Sequence, residues 1–179
     1  MDTQPAIHLT LQPPPPAPFH VSLLGTFEVS REGRTLPALP AGSQRLLGFL
    51  ALRQQSITRT LAAGTLWPEA TDSRAHASLR SAILRLTRLF EEAITVTFHE
   101  LRLADEIVVD VLQARALAYR LLDENATLGP ADLDARSISA LSSDLLPDWY
   151  DDWALAEAES WRQLRLPVSY THLTLPTKA

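Results

Sequence analysis

The residues best suited to chemistry in this sequence are arginines spaced along one predicted helix. Five positions follow one another at i, i+4, i+7, i+11 and i+14, a spacing that places them on one helical face: Arg74, Ser78, Ser81, Arg85 and Arg88. We call these five residues the cationic stripe. Arg80 and His76 flank the stripe, and no acidic residue occurs from Ser73 to Phe90. A solvated helix usually mixes charges of both signs, so an unpaired cationic face suggests an anionic partner such as DNA.

A structural explanation of these arginines is also open. Cationic side chains near the carboxyl end of a helix stabilise the helix dipole, which could account for Arg85 and Arg88. It does not account for Arg74 or Arg80, which lie earlier in the helix. A helical protein–protein adaptor, with this basic surface meeting an acidic partner, therefore remains the alternative to DNA binding.

Charge is divided unevenly along the chain, whose net charge is −5. Residues 43–90 contain seven arginines and two acids, a local net of +5, whereas residues 91–166 contain six arginines and sixteen acids, a local net of −10. The distribution of charge, rather than its total, decides whether a surface can approach a polyanion. The sequence therefore predicts two modules of opposite charge.

Other chemistries find little support in the sequence. The chain has no Cys, which excludes disulfides and thiolate metal sites, and none of its five His are spaced at i, i+4. Asp148, Asp151 and Asp152 lie among aromatic residues but have no nearby base, so we interpret them as acids at a helix N-terminus. We expect no catalytic residues, no metal and no cofactor. We also expect no membrane span or secretory signal, and hence a cytoplasmic protein.

The elements that must position the stripe begin after a proline-rich arm over residues 1–18, predicted to be disordered. A ligand for proline-recognition domains is the alternative for this arm. Alternating apolar residues predict strands from His20, separated at Gly25, and a third short strand over Thr35–Leu39. A hairpin is predicted from Ile94–Phe98 and Leu101–Leu103.

Three helices are predicted between the strands and the hairpin. The first is capped by Ser43 and runs to about Gln55, with the core residues Leu46, Leu47, Phe49, Leu50 and Leu52. The second is capped by Thr58 or Thr60 and stopped by Pro68, with the core residues Leu61, Ala62, Leu66 and Trp67. The third is capped by Asp72 or Ser73 and reaches Glu91 or Glu92, burying Leu79, Ile83, Leu86 and Phe90.

The acidic second half is predicted to be helical throughout. One helix covers Val111–Glu124 with an approximate apolar side that comprises Leu112, Ala116, Tyr119 and Leu122. A second runs from Ala131 or Asp132 to about Ser143, and a third covers Asp148–Leu166. We predict that Trp149 and Trp153 fill the core between these helices.

Several segments, taken together, resemble a known family. The basic half contributes residues 21–29, the helix around Ser43–Leu52, Leu66-Trp67-Pro68 and residues 77–88; the acidic half contributes residues 144–153 and Ala156-Glu157. In order and spacing these resemble the SARP activators, the antibiotic regulatory proteins, over about residues 20–166. That family joins an OmpR-type DNA-binding domain to a bacterial transcriptional activator domain.

The resemblance implies an α+β winged helix-turn-helix domain over residues 19–108, followed by a truncated, all-α tetratricopeptide-like domain over 109–166. It implies a transcriptional activator that binds promoter repeats in double-stranded DNA, associates side by side on direct repeats and contacts RNA polymerase. The third helix would be the recognition helix, with Ser78, Ser81, Arg85 and Arg88 facing DNA and Arg74 near the phosphates. Arg80 beside the stripe, and His99 and Arg102 in the hairpin, complete the expected DNA contacts.

Residues 167–179 depart from the preceding helical pattern. This stretch resembles the translated adapter read-through found at the ends of misassembled gene models, and we expect the natural protein to be longer. A short native coil is the alternative.

Overall fold

A computed structural model of the protein describes residues 19–172 and opens with a small mixed sheet. The first three strands are β1 (Phe19–Ser22), β2 (Glu28–Arg31) and β3 (Arg34–Thr35). They pair antiparallel in the order β3-β2-β1, and the two-residue strand β7 (Val108–Val109) pairs parallel to β1. The predicted strand over Thr35–Leu39 is wrong beyond its first residue. The proline-rich arm predicted over residues 1–18 lies outside the described residues.

Three helices and a hairpin follow these strands, in the order that the sequence predicts. The helices are α1 (Ala41–Arg53), α2 (Arg59–Leu66) and α3 (Asp72–Leu89). The hairpin consists of β5 (Ile94–Val96) and β6 (Glu100–Leu103). A strand that the sequence analysis missed, β4 (Ile57–Thr58), pairs with β6, so that the hairpin is tied to the start of α2.

Only one of the predicted helix caps is confirmed. The Thr58 hydroxyl accepts a hydrogen bond from the Leu61 N–H at 3.2 Å and caps α2. Ser43 is not a cap, because α1 begins two residues earlier; its buried hydroxyl instead donates to the Ala82 carbonyl of α3 at 3.0 Å. Neither Asp72 nor Ser73 caps α3, since Thr71 occupies the capping position and makes no side-chain hydrogen bond there.

The predicted core of the three helices is mostly confirmed. All five predicted core residues of α1 are buried, as are Leu79, Ile83, Leu86 and Phe90 of the inward face of α3. Leu61 is an exception, because it points away from the buried side of α2, which Ala62, Ala63 and Leu66 form, and is exposed. Trp67 is only half-buried.

The described part of the second half, up to residue 172, contains three helices and one 3₁₀ turn. These are α4 (Asp110–Leu122), the turn at Pro130–Leu133, α5 (Ala135–Ser142) and α6 (Asp152–His172). The predicted start of α6 at Asp148 is wrong by four residues, and the helix continues past Leu166 through Pro167. The second predicted helix is a 3₁₀ turn followed by α5, because the Asp134 carboxylate accepts from the Ser137 N–H at 2.7 Å and starts a new helix there.

The predicted apolar side of α4 is also wrong. Ala116, Tyr119 and Leu122 are exposed, and Leu112 is only half-buried. The helix instead buries a neighbouring face made of Val111, Ala114, Leu117, Ala118 and Leu121. Apolar residues occur on both faces of α4, so periodicity alone does not choose between them.

Backbone and side-chain hydrogen bonds join the two halves at the end of β1. The Asp110 carboxylate, in the first turn of α4, accepts from the N–H groups of Leu23 at 2.9 Å and Leu24 at 3.1 Å. The Gly25 N–H donates to the Asp144 carbonyl at 2.8 Å, and the Leu146 N–H donates to the Leu23 carbonyl at 2.9 Å. The predicted domain boundary between residues 108 and 109 thus falls inside β7, beside a hydrophobic core that is continuous across it.

We predict that Asp110→Ala lowers the free energy of unfolding by about 2 to 3 kcal/mol, because two backbone donors at the end of β1 lose a charged acceptor. Urea denaturation monitored by circular dichroism measures this change. Asp105→Ala serves as the control, since Asp105 is exposed and pairs with Arg102 on the surface. Equal stabilities of the two variants would contradict the role given to Asp110.

Candidate nucleic-acid interface

Helix α3 has one buried face and one exposed face. Ala75, Leu79, Ala82, Ile83 and Leu86 are buried against α1 and α2. The hydrogen bond from the Ser43 hydroxyl to the Ala82 carbonyl holds α3 to α1 at the middle of this contact. Because the buried face is fixed in this way, the opposite face is held at the surface in a defined orientation.

The exposed face carries the arginines that the sequence analysis singled out. Arg74, Arg80, Ser81, Arg85 and Arg88 are exposed, and Ser78 is half-buried. Within the described residues none of these four arginines forms a side-chain hydrogen bond or an ion pair. The structure thus brings the predicted stripe together as one unpaired cationic surface.

The dimensions of the stripe follow from helix geometry. At roughly 100° and 1.5 Å per residue, its five members lie within an arc of about 80° and extend over about 21 Å from Arg74 to Arg88. Arg80 lies about 120° around the helix from Arg74 on the same basis. Leu84 occupies the surface between Arg80 and the stripe and is 51% exposed.

The acids of the second half form ion pairs away from α3. Asp151 pairs with Arg45 at 3.2 Å, Glu157 pairs with Arg115 at 2.9 Å, and Asp144 pairs with Arg165. These contacts lie along α1, α4 and α6, so the charge of −10 in residues 91–166 does not neutralise the stripe by direct pairing.

The hairpin presents an aromatic ring at its tip. Phe98 is 84% exposed and stands edge-on to the His99 ring at a centroid distance of 4.7 Å. Three hydrogen bonds between Thr97 and Glu100 close the turn: the Thr97 N–H and hydroxyl donate to the Glu100 carbonyl, and the Glu100 N–H donates to the Thr97 hydroxyl. The tip is therefore a tight, braced turn.

Arg102, predicted as a DNA contact in the hairpin, is engaged by a neighbouring acid. Its guanidinium donates to the Asp105 carboxylate at 2.7 Å, and its side chain is 40% exposed. Arg102 thus differs from the four arginines of α3, whose charge is uncompensated.

Arg59 is a candidate that sequence reasoning missed. It opens α2, its backbone N–H donates to the His99 carbonyl at 2.9 Å, and it is half-buried beside the hairpin tip. Its Nε is buried without a hydrogen-bond partner, and its guanidinium forms no ion pair within residues 19–172. The sequence showed an arginine next to the Thr58 cap, but it did not show that the hairpin returns to this point.

The aspartates that could suggest a carboxylate site do not form one. Asp151 pairs with Arg45, and its carbonyl accepts the Ala154 and Leu155 N–H groups that begin α6. The prediction that both rings fill a core is confirmed for Trp153, which is buried against Phe49, and holds only in part for Trp149, which is half-buried against Phe27. Across the part of the chain that the structure describes, no cluster of His, Asp and Glu side chains could hold a metal ion.

Comparison with solved structures identifies the fold. The chain is similar to EmbR of Mycobacterium tuberculosis, solved in complex with a low affinity phosphopeptide, with a TM-score of 0.60 and 17% sequence identity. The match covers 85% of this chain and 44% of the EmbR chain, so this chain spans less than half the length of that neighbour. The mixed α/β fold with N-terminal strands and six helices is thus shared with EmbR.

Sequence comparisons give no further relatives. No family model matches the chain, and no curated protein matches it either. No helix within residues 19–172 is long and apolar enough to span a membrane.

We predict that substitutions on the two faces of α3 change the free energy of unfolding by very different amounts. Leu79→Ala lowers the free energy of unfolding by about 2 to 5 kcal/mol, because it leaves a cavity in the core. Arg85→Ala changes it by less than about 0.5 kcal/mol, because the side chain is exposed and unpaired. Thermal melts of the two variants check this contrast, and a large loss of stability in Arg85→Ala would show that the stripe has a structural role.

Proposed function

We propose that this protein is a sequence-specific DNA-binding transcriptional activator whose α3 lies in the major groove of double-stranded DNA. The observation that carries the proposal is the uncompensated positive charge of Arg74, Arg80, Arg85 and Arg88 on the exposed face of α3. Leaving four guanidinium groups without ion pairs within residues 19–172 gives folding no benefit beyond the helix-dipole interaction open to Arg85 and Arg88. It is what binding to a polyanion requires.

The shape of α3 suits this partner. The major groove is about 12 Å wide, and an α-helix with its side chains is about 10 to 12 Å across. The planar guanidinium of Arg85 or Arg88 can donate two hydrogen bonds to guanine or to a phosphate. Arg74, at the opposite end of the stripe, would then contact the phosphate backbone. Ser78 and Ser81 are short enough to let the helix approach the bases.

The elements around α3 support a winged helix-turn-helix. α2 and α3 form the helix pair, and the hairpin β5–β6 is the wing, braced by β4 beside the start of α2. In this arrangement the wing tip, with Phe98 and the neighbouring Arg59, provides a second contact with the duplex. Arg102 contributes less than predicted, because Asp105 already neutralises its charge.

The resemblance to the SARP activators and the fold similar to that of EmbR support the remaining parts of the proposal. We propose that protomers associate side by side on direct repeats and that the acidic, tetratricopeptide-like helical half contacts RNA polymerase. We further propose that the protein acts in the cytoplasm and has no catalytic activity.

We predict that binding to a 30-base-pair duplex of mixed sequence depends steeply on salt. The slope of log K against log salt concentration should be about −3 to −4, because three or four phosphates are neutralised at roughly −0.9 per contact. Arg85→Ala and Arg88→Ala should each weaken binding and make the slope shallower by about 1. Fluorescence anisotropy at several salt concentrations measures both quantities.

The matched control is Arg162→Ala, which removes an exposed arginine that pairs with Glu159 on α6. It should leave duplex binding unchanged. If both stripe variants bind duplex DNA as tightly as the parent protein, DNA binding through α3 is refuted. If the parent protein binds an acidic polypeptide such as poly-glutamate but does not bind duplex DNA, the adaptor alternative is favoured.

We predict that Phe98→Ala weakens duplex binding without changing the salt slope. The ring carries no charge, so its loss removes apolar contact with the groove. It leaves unchanged the number of counterions released on binding, which sets the salt slope. Tyr150→Ala is the matched control, since Tyr150 is also an exposed aromatic residue, at 78%, but lies in the helical half. Equal binding by Phe98→Ala and Tyr150→Ala would show that the hairpin tip does not touch DNA.

A further inference from the structure

The burial of α3 defines which of its side chains point directly away from the molecule. At roughly 100° per residue, the buried residues of this helix are centred about 120° around its axis from Arg74. The opposite direction is therefore about 60° to the other side of Arg74, and Ala77, Leu84 and Arg88 lie within about 25° of it. All three are exposed, Leu84 by 51%. We call these three residues the outermost line of α3.

The outermost line does not coincide with the middle of the cationic stripe. Arg74 and Arg85 lie about 60° to 80° to one side of it, and Arg80 lies about 60° to the other side. When a helix lies in a major groove, its outermost side chains face the base edges, and the side chains on its flanks are directed towards the two phosphate backbones. Leu84 would then face the bases, with an arginine on each side of it.

Leu84 is an isolated apolar side chain among cations. On α3 its neighbours at i−4, i+1 and i+4 are Arg80, Arg85 and Arg88, and none of these forms an ion pair within residues 19–172. Ser81, at i−3, is also polar. A surface that docks an apolar partner presents a contiguous apolar patch, which this face of α3 does not have. The surroundings of Leu84 fit a polyanion that carries a single apolar group between its charges.

Double-stranded DNA offers such a group in its major groove. The C5-methyl group of thymine lies there among the hydrogen-bond donors and acceptors of the base edges. A leucine side chain has no hydrogen-bonding atom, so it would leave the polar edge of another base without a partner once water is displaced. Against the thymine methyl group it buries apolar surface instead. A leucine at this position therefore favours thymine over the other bases.

We propose that Leu84 is a specificity-determining residue that contacts the C5-methyl group of a thymine in the bound duplex. The proposal rests on the proposed function, the binding of duplex DNA by α3, and adds to it the identity of one base. Arg80 and Arg85 contact phosphates on either side and hold the helix at the depth at which Leu84 reaches the methyl group. Ala77 is short and does not obstruct this approach.

Deoxyuridine, which lacks only the C5-methyl group of thymidine, tests the proposal. Selection from a pool of randomised duplexes supplies a preferred site for the full chain, and each thymine of that site is then replaced by uracil. We expect replacement at one position to weaken binding about fourfold, the change that corresponds to burial of one methyl group. Leu84→Ala should bind the thymine and uracil duplexes of that position equally well. Fluorescence anisotropy measures these affinities.

The matched control is Leu155→Ala, since Leu155 is also an exposed leucine, at 48%, but lies on α6. It should keep the fourfold preference for thymine. Leu84→Ala should also keep the salt slope of the parent protein, because no charge is removed. Both side chains are exposed, so thermal melts of the two variants should resemble that of the parent.

The possible outcomes separate this proposal from the proposed function. If the parent protein binds its site equally well after every thymine is replaced, or if Leu84→Ala shows the same loss as the parent, the role of Leu84 is overturned and DNA binding by α3 stands. A selected site without thymine overturns it too. If the parent enriches no duplex, the proposed function fails and the role of Leu84 fails with it. If Leu84→Ala abolishes self-association in sedimentation but keeps the thymine preference, Leu84 belongs to a protein interface and the proposal is wrong.

Discussion

The end of β1 is the point on which the arrangement of this molecule depends. At Leu23, Leu24 and Gly25 the backbone leaves its sheet, and because Leu23 is buried and Leu24 half-buried, their backbone polar groups need partners within the protein. The second half satisfies them through the Asp110 carboxylate and through the backbone at residues 144–146. An acidic helix start is therefore a structural part of the N-terminal sheet, and the two oppositely charged halves share one core.

The same core determines what α3 presents to solvent. The Ser43 hydroxyl bonds to the α3 backbone, and Gly48 on α1 lets the Trp149 ring approach to 3.2 Å from where a Cβ would stand. Any larger residue at position 48 would displace that ring. Helix α1 thus holds α3 on one side and the helical half on the other, and the exposed arginines keep a fixed relation to both.

Local periodicity predicted the helices well because burial imposes it directly. The inward face of α3, the cap at Thr58 and the exposed arginines could all be inferred from short segments. Specific side-chain contacts could not be inferred. The Ser43 hydroxyl donates to the backbone of α3 instead of capping its own helix, and the Asp105 carboxylate pairs with Arg102. The buried face of α4 was missed because this helix has apolar residues on both faces. The elements that pack against it in the core decide which face is buried.

The continuous core has a geometric consequence for a protein on DNA. With α3 in a groove, the helical half would project from the duplex in a single direction, because β7 pairs with β1, Asp110 bonds to the end of β1, and one hydrophobic core joins the two halves. A site displaced by half a turn of the double helix, roughly five base pairs, would carry that half to the far side of the duplex. The distance between the binding site and the promoter would then have to be a whole number of turns of the double helix.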